Sequence, residues 1–443
     1  MVFSRLFGKP KASATDAEAT VSEEAVSDEP GPDEGGSDEA PAEEHPVEAW
    51  STRARAVLVG GASTASKRPD KLYGADTEDL PTHFVRASGC RVETVDGMEL
   101  VDCTMALGSV ALGYAEPQLT RAVIETLANG SVSGLSPALE VEVATSLCGI
   151  IPCAERVQFL KTGADAMSAA VRIARTYTAR ETVVGCGYFG WHDWSSDAKG
   201  VPEAVRRKFV RVPFDDVAAL ERAVADASGD LAAVAIEPVI ERLPSKEWIE
   251  RARKLCDDKG AVLIFDEVKT GFRLALGGYQ QYAEITPDLA AFGKAMANGY
   301  PLAAVCGNAA LMDAAEKTWI SATLASETGA LAAAAAVLAW HERVDVCATL
   351  WSTGKEMRGA VAAAIDASGI AGVTVEGIDP MWFLRFGDVH VEQAFLRTAL
   401  ENGVLFKRGA YNFAAMAHDE NALREIEAGA SAAFVALQER AER

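Results

Sequence analysis

Residues 262–294 read VLIFDEVKTGFRLALGGYQQYAEITPDLAAFGK and restrict the fold more than any other stretch. They begin inside a short, branched, unbroken apolar run, Ala261 to Phe265, the pattern of a strand buried on both faces of a parallel sheet. The run stops at Asp266 and Glu267. A carboxylate at the carboxyl end of such a strand lies where open α/β sheets bind ligands. A second apolar run, Leu289 to Phe292, stops at Gly293 and Lys294. Neighbouring strand ends can thus present an acid and an amine to one crevice, the pairing that pyridoxal phosphate chemistry uses. Spacing alone also fits a strand-end acid and an unrelated surface lysine.

The sequence around this stretch repeats a strand–helix rhythm. Strands are expected at Val157–Lys161, Thr182–Gly187, Ala232–Val239 and Leu302–Gly307. Helices are expected over Asp165–Ala179 and Glu247–Asp257, with an Ala-rich one over Gly329–His341. Alternating buried strands and helices imply a mostly parallel sheet covered on both faces. Before it, residues 84–104 alternate apolar and polar about Asp96-Gly97, which predicts a hairpin. Helices follow at Leu119–Asn129 and Leu139–Ile150. After Val346 the pattern is mixed α+β, with a helix near Glu392–Asn402, a strand at Val404–Lys407 and a last helix near Glu420–Glu439. The expected division is a tail over 1–48, the first part of a small domain over 49–105, a large domain over 106–345, and the rest of the small domain over 346–443.

Composition matters most at the N-terminus. Of the net charge of −22, ten negative charges fall within residues 1–50. From Lys11 to Val47 large apolar side chains are almost absent, so this segment is expected to be disordered. It follows MVFSRLFGKPK, a short apolar and basic peptide. On an acidic tether this reads as a docking tag for a partner, shell or membrane surface, or as a remnant without function. The acidic balance argues against nucleic acid as a partner. No apolar run reaches the roughly 20 residues that span a bilayer, and no signal peptide is evident. The eight cysteines form no C-x-x-C pair and sit mostly in apolar surroundings, as expected of free thiols in the cytoplasm.

Three further motifs lie at strand ends. Phe159 to Ala166 (FLKTGADA) is a strand, a small-residue turn and a helix start, whose free N–H groups suit a phosphate. Tyr188 to Trp194 (YFGWHDW) follows the strand Thr182–Gly187; an aromatic there can stack on a flat cofactor or simply close the core edge. His192 reads as a hydrogen-bonded packing residue. Glu237-Pro238 is a third acidic strand end, also readable as an exposed acid at a loop start.

In this order, TGADAMSAAVRIAR, GYFGWHDW, EPV, LIFDEVKTGFR, PDLAAFGKAMANGYPLAAV and TLASETGALAAAA resemble the class III, fold-type I PLP-dependent aminotransferases, in particular the glutamate-1-semialdehyde aminomutase-like group. The resemblance spans roughly residues 50–440. It implies an α/β large domain with a mostly parallel seven-stranded sheet, a small α+β domain built from both chain ends, and pyridoxal 5′-phosphate as cofactor. It gives Lys294 the Schiff base and the proton shuttle, and Asp266 the pyridine nitrogen. Tyr188 stacks on one ring face and Val268 packs on the other. Gly163 and Ala164 bind the phosphate through backbone N–H groups; relatives often carry Ser or Thr at the Ala164 position. Thr323 reaches the phosphate of the neighbouring subunit, implying a homodimer, and Glu237 lies near the outer ring edge.

The substrate side departs from the aminomutase. Its Ser- and Arg-bearing early segment corresponds to 60–68, with Lys67 at the Arg position, a poorer bidentate clamp for a carboxylate. The segment after Trp194 is short, and no acid lies within Arg408–Tyr411. Arg408 is a candidate for gripping a carboxylate or phosphate, or a surface arginine at a strand end. Trp191 is a candidate lining residue for a sugar-like or apolar acceptor. The expectation is transamination between an amino donor and a carbonyl acceptor. The alternatives are an intramolecular aminomutase, a racemase or epimerase on the same scaffold, and a non-catalytic tail-docked interaction protein.

Overall fold

The computed structural model describes residues 46–75, 79–227 and 229–441, and the elements below are those of the described residues. The docking-tag and disorder readings for the N-terminal tail fall on residues outside this set, save for the tail's last three. The helix Pro46–Val57 starts three residues before the expected onset of the small domain at 49.

Three sheets are present. The first joins β1 (Phe84–Ser88), β2 (Arg91–Thr94) and β3 (Glu99–Asp102) as an antiparallel meander. The alternation expected to make one hairpin therefore makes two. Asp96-Gly97 turns β2 into β3, and Gly89, at φ +58, turns β1 into β2. The second sheet holds β4 (Arg156–Leu160), β5 (Thr182–Cys186), β6 (Phe209–Arg211), β7 (Leu231–Ile236), β8 (Val262–Asp266), β9 (Leu289–Phe292) and β10 (Ala303–Gly307). Its order is β4-β10-β9-β8-β7-β5-β6. Only β10 runs against the other six. The third sheet is β11 (Val373–Ile378), β12 (Met381–Phe386) and β14 (Asn412–Phe413), all antiparallel.

The two chain ends meet in the first sheet. The short strand β13 (Val404–Leu405) pairs in parallel with β3, Val404 opposite Val101. Helices Val389–Glu401 and Glu420–Ala441 pack behind it, and Val346–Ser368 lies against Glu420–Ala441.

The central strands of the large sheet are apolar along their whole length because both faces are covered. Helix Gly163–Thr178 buries Met167, Ala170, Val171 and Ala174 on one face. The other face carries Lys246–Lys259 and the Ala-rich Thr328–His341. In the latter, Gly329 to Ala339 are all buried. A helix apolar on every side belongs inside the protein, and its alanines let neighbours approach closely. No helix among the described residues is long and apolar enough to cross a membrane.

Candidate active site

The parallel direction of β5, β7, β8 and β9 brings four strand ends to one edge. Cys186 pairs with Ile236, Ile236 with Phe265, and Asp266 with Ala291. The residues that follow these pairs are Tyr188, Glu237, Asp266 itself and Lys294. β4 runs the same way and brings the Lys161–Ala164 turn to the same edge. The registers alone thus assemble the motifs that are dispersed along the chain.

Asp266 is 6% exposed, and its Oδ1 accepts the Val268 amide at 3.0 Å. Burial, followed by the charge of Glu237, pushes its carboxyl from an ordinary 3.8 up to about 7; Lys294 and Lys269 pull it back only in part. Lys294 is half-buried. Its backbone is left-handed at φ +50, an uncommon conformation for a side-chain-bearing residue. Burial, followed by the like charge of Lys269, lowers its ammonium to about 8. A low-pKa amine and a carboxylate of opposite charge therefore share this edge.

The Gly163 turn is built tightly. Thr162 caps Gly163–Thr178 through a capping box with Asp165, whose amide donates to Thr162 Oγ1 at 3.1 Å. The amides of Gly163 and Ala164, in the first turn, have no intrahelical acceptor. A Cβ on Gly163 would lie 2.8 Å from Val268 Cγ1, and one on Gly190 (φ +89) would lie 2.4 Å from Ala164 Cβ. Nothing larger than glycine fits at either position. Val268 is thereby fixed against Gly163, with the Gly293 backbone close by.

Other sequence candidates are placed differently. Tyr188 and Trp191 are 74% and 76% exposed, while Phe189 and Trp194 of the same motif are buried and stacked at 5.3 Å. His192 Nδ1 hydrogen-bonds Ser168 Oγ at 2.7 Å, a packing role as expected. Thr323 lies in the exposed run Ser321 to Leu324. Lys67 is exposed on the single turn Ala65–Lys67 and borders a cavity of about 200 Å³ whose walls include Tyr73, Asp102 and Tyr114. Arg408 is tied up within the fold: its Nε donates to Glu392 at 3.0 Å and its Nη1 to the Asp70 carbonyl at 3.0 Å.

Sequence reasoning passed over four polar residues. Glu267 is wholly buried and accepts the amides of Tyr279 and Gln280, at 2.7 and 2.9 Å, which folds the chain back beneath the site. Arg273, also wholly buried, donates to the carbonyls of Ala414 and Gly108 at 2.8 and 3.1 Å, joining both chain ends to the large sheet. Asn298 accepts the amides of Ala111 and Leu112, each at 2.9 Å. Lys269 is 9% exposed, with its Nζ 2.5 Å from Glu237 Oε1. Polar residues one to seven positions beyond the Asp266 and Lys294 strand ends were the available signal.

An α/β fold that gathers an acid, an amine and a helix N-terminus at one strand edge defines a class: transferases that carry an amine on pyridoxal phosphate. Comparison with known proteins narrows it. The model of the class-III aminotransferase family matches residues 73–189 and 201–417. The 3-aminobutyryl-CoA aminotransferase of Cloacimonas acidaminovorans (strain Evry) is 32% identical over 338 residues, 74% of this chain and 81% of the relative. The glutamate-1-semialdehyde 2,1-aminomutase of Methanopyrus kandleri is 32% identical over 413 residues, 85% of this chain and 94% of the relative. Among solved structures, the FumI protein of Sphingopyxis sp. MTA144, in its PLP internal aldimine form, is similar with a TM-score of 0.84 and 26% identity. The match covers 90% of this chain and 97% of that one. The chain belongs to the class III aminotransferases, has their fold-type I architecture, and is a PLP-dependent enzyme of amino transfer. The residues present suit the cofactor, since the Gly163 cradle excludes side chains where a phosphate needs amides.

Proposed function

We propose that Lys294 is the amine that carries the cofactor aldehyde, and that the protein transfers an amino group between two separate molecules, a donor and a carbonyl acceptor. When bound, pyridoxal phosphate supplies an aldehyde for amines and a ring that takes up electrons. Lys294, with its lowered pKa, is free to act as nucleophile near neutral pH and then to hold and return a proton at its Nζ. With the cofactor bound, Asp266 would keep the ring nitrogen protonated, the amides of Gly163 and Ala164 would hold the phosphate, and Val268 and Tyr188 would contact the ring. The observation that carries this reading is the shared strand edge of Asp266 and Lys294, each shifting the other's charge.

Transfer between two molecules is favoured over the intramolecular reaction by the substrate side. Lys67 lacks the planar fork that grips a carboxylate, and the segment between Trp194 and β6 is short, with the single turn Glu203–Arg206 in it. Full-length protein loaded with cofactor and given an amino donor alone should release about one equivalent of keto product per site. Isomerisation of a single substrate without a released keto product would assign the mutase reaction instead.

The three sheets support a division of the chain at about 105 and 345. A homodimer fits an apolar surface around Thr323. Val132, Leu135, Val141, Trp319 and Leu324 are all more than half exposed there, and such a patch marks an interaction surface. Seven of eight free cysteines are buried and one is half-buried, which suits a reducing cytoplasm. The N-terminal peptide remains a candidate docking segment for a partner, shell or membrane surface, tested by deleting residues 1–45 and following location.

A further inference from the structure

Lys269 follows Asp266 by three residues and turns back beneath the same strand edge. Its ammonium has two neighbours from distant parts of the chain. Glu237 Oε1, at the end of β7, is 2.5 Å away. The ring of Tyr411, from the C-terminal segment, is centred 4.3 Å away, a cation–π contact. Each neighbour is itself engaged. Glu237 Oε2 accepts the Tyr188 amide at 3.0 Å, and Gly187 packs so closely that a Cβ there would lie 2.4 Å from Glu237 Cβ. Tyr411 Oη accepts the Glu241 amide at 2.7 Å, and Glu241 pairs with Arg385 of β12 at 2.9 Å. Both members of the Lys269–Glu237 pair are nearly buried, at 10% and 13% side-chain exposure, so water screens them little.

We propose that Lys269 is a positioning residue of the amino-transfer site: with Glu237 it clamps the Tyr188 turn, and with Tyr411 it draws the C-terminal segment onto the floor of the site. The pair also sets the field in which Lys294 works. Lys269 is a like charge beside the Lys294 amine and lowers its proton affinity, while Glu237 raises it. Burial works against the Lys269 ammonium, but Glu237 and Tyr411 more than offset this and keep it charged. Removing either partner leaves a buried charge of one sign uncompensated, and the two removals push Lys294 in opposite directions.

The inference rests on Lys294 being the cofactor amine, and the test separates the two claims. Full-length apoprotein is mixed with pyridoxal phosphate at a series of pH values, and the rate of growth of the Schiff-base absorbance is followed. The pH midpoint of that rate reports the Lys294 amine. Lys269→Met should raise the midpoint by about one unit, Glu237→Gln should lower it, and Lys269→Arg should stay near wild type. Wild-type protein that develops no absorbance would refute the Lys294 assignment itself. Wild-type absorbance with the same midpoint in folded Lys269→Met would overturn the positioning role, since a merely structural residue changes melting without moving the midpoint. If Lys269→Met does not fold, Glu237→Gln decides, and an unmoved midpoint there overturns the proposal.

Discussion

The strand edge proposed to hold the cofactor and the loops that carry the candidate substrate residues are built on different principles. At the cofactor edge Asp266, Glu237, Lys269 and Lys294 sit on adjoining ends of β7, β8 and β9, close in register and largely buried. Their charges are mutually dependent because little water screens them. Among the candidate substrate residues Trp191 is mostly exposed, Lys67 lies on a separate turn near the N-terminus, and Arg408 is committed to Glu392. One region is assembled by sheet register and the other by separate loops, and loops change more readily than strands without disturbing a sheet.

The largest expected effect falls on the cofactor edge. Lys294→Ala should reduce turnover by on the order of 10⁴-fold or more, since it would remove both the proposed covalent anchor and the proposed proton carrier. Asp266→Asn keeps the shape but not the charge, and should lower kcat by about 10²- to 10³-fold. Steady-state kinetics check both. An effect below tenfold for either variant would erase the contrast between the two regions.

Gly190→Ala tests the tightness of the cradle. The added methyl collides with Ala164 and meets a left-handed backbone, which together should cost about 2 kcal/mol of stability and weaken cofactor affinity about tenfold or more. Denaturant unfolding and a cofactor titration measure these. A pH prediction follows from Asp266. Its folded-state pKa, raised to about 7, lies above the unfolded 3.8. Apoprotein stability from this group is thus present in full below about pH 4 and lost as pH rises through about 7, by on the order of 4 kcal/mol. Lys294 does not confuse this window, because its titration lies near pH 8 and above. Asp266→Asn should flatten the dependence in urea melts at pH 5 and pH 7.

The smallest effect is expected on the substrate side. Arg408→Gln breaks a partly buried ion pair and one bond to a carbonyl, costing about 1–2 kcal/mol in stability while leaving the donor half-reaction within about twofold of wild type. A tenfold loss of kcat/KM with unchanged melting would return Arg408 to the substrate pocket and sharpen the account of that region.

The same contrast governs what the sequence could reveal. The strands β7, β8 and β9 are short apolar runs closed by polar residues, so their ends were legible, and Asp266 and Lys294 with them. β6 has only three residues at the sheet edge, too few to show a period. β11 and β12 escaped notice because β11 mixes Thr, Glu and Gly and is buried only at Val373 and Ile378, while β12 is buried from Met381 to Leu384 with no alternation. The long helix Val346–Ser368 went unread although Val346, Leu350, Gly354, Met357, Val361 and Ala364 recur at three- and four-residue spacing on its buried face. Lys269 stood in plain view beside Asp266. Its meaning depends on Glu237, thirty-two residues earlier, and on Tyr411 near the other end of the chain, partners that only the fold brings together. Arg408 was open to two readings until Glu392 was seen beside it.

The central claim is that Lys294, set on a strand edge shared with Asp266, is the amine that holds the cofactor. Borohydride reduction of the loaded protein, followed by proteolysis and mass spectrometry, tests it most directly, because a second lysine lies close by. The account predicts the reduced cofactor mass on the peptide carrying Lys294, with none on Lys269 and none on any site in Lys294→Ala. Labelling of Lys269, or labelling that survives loss of Lys294, would contradict it.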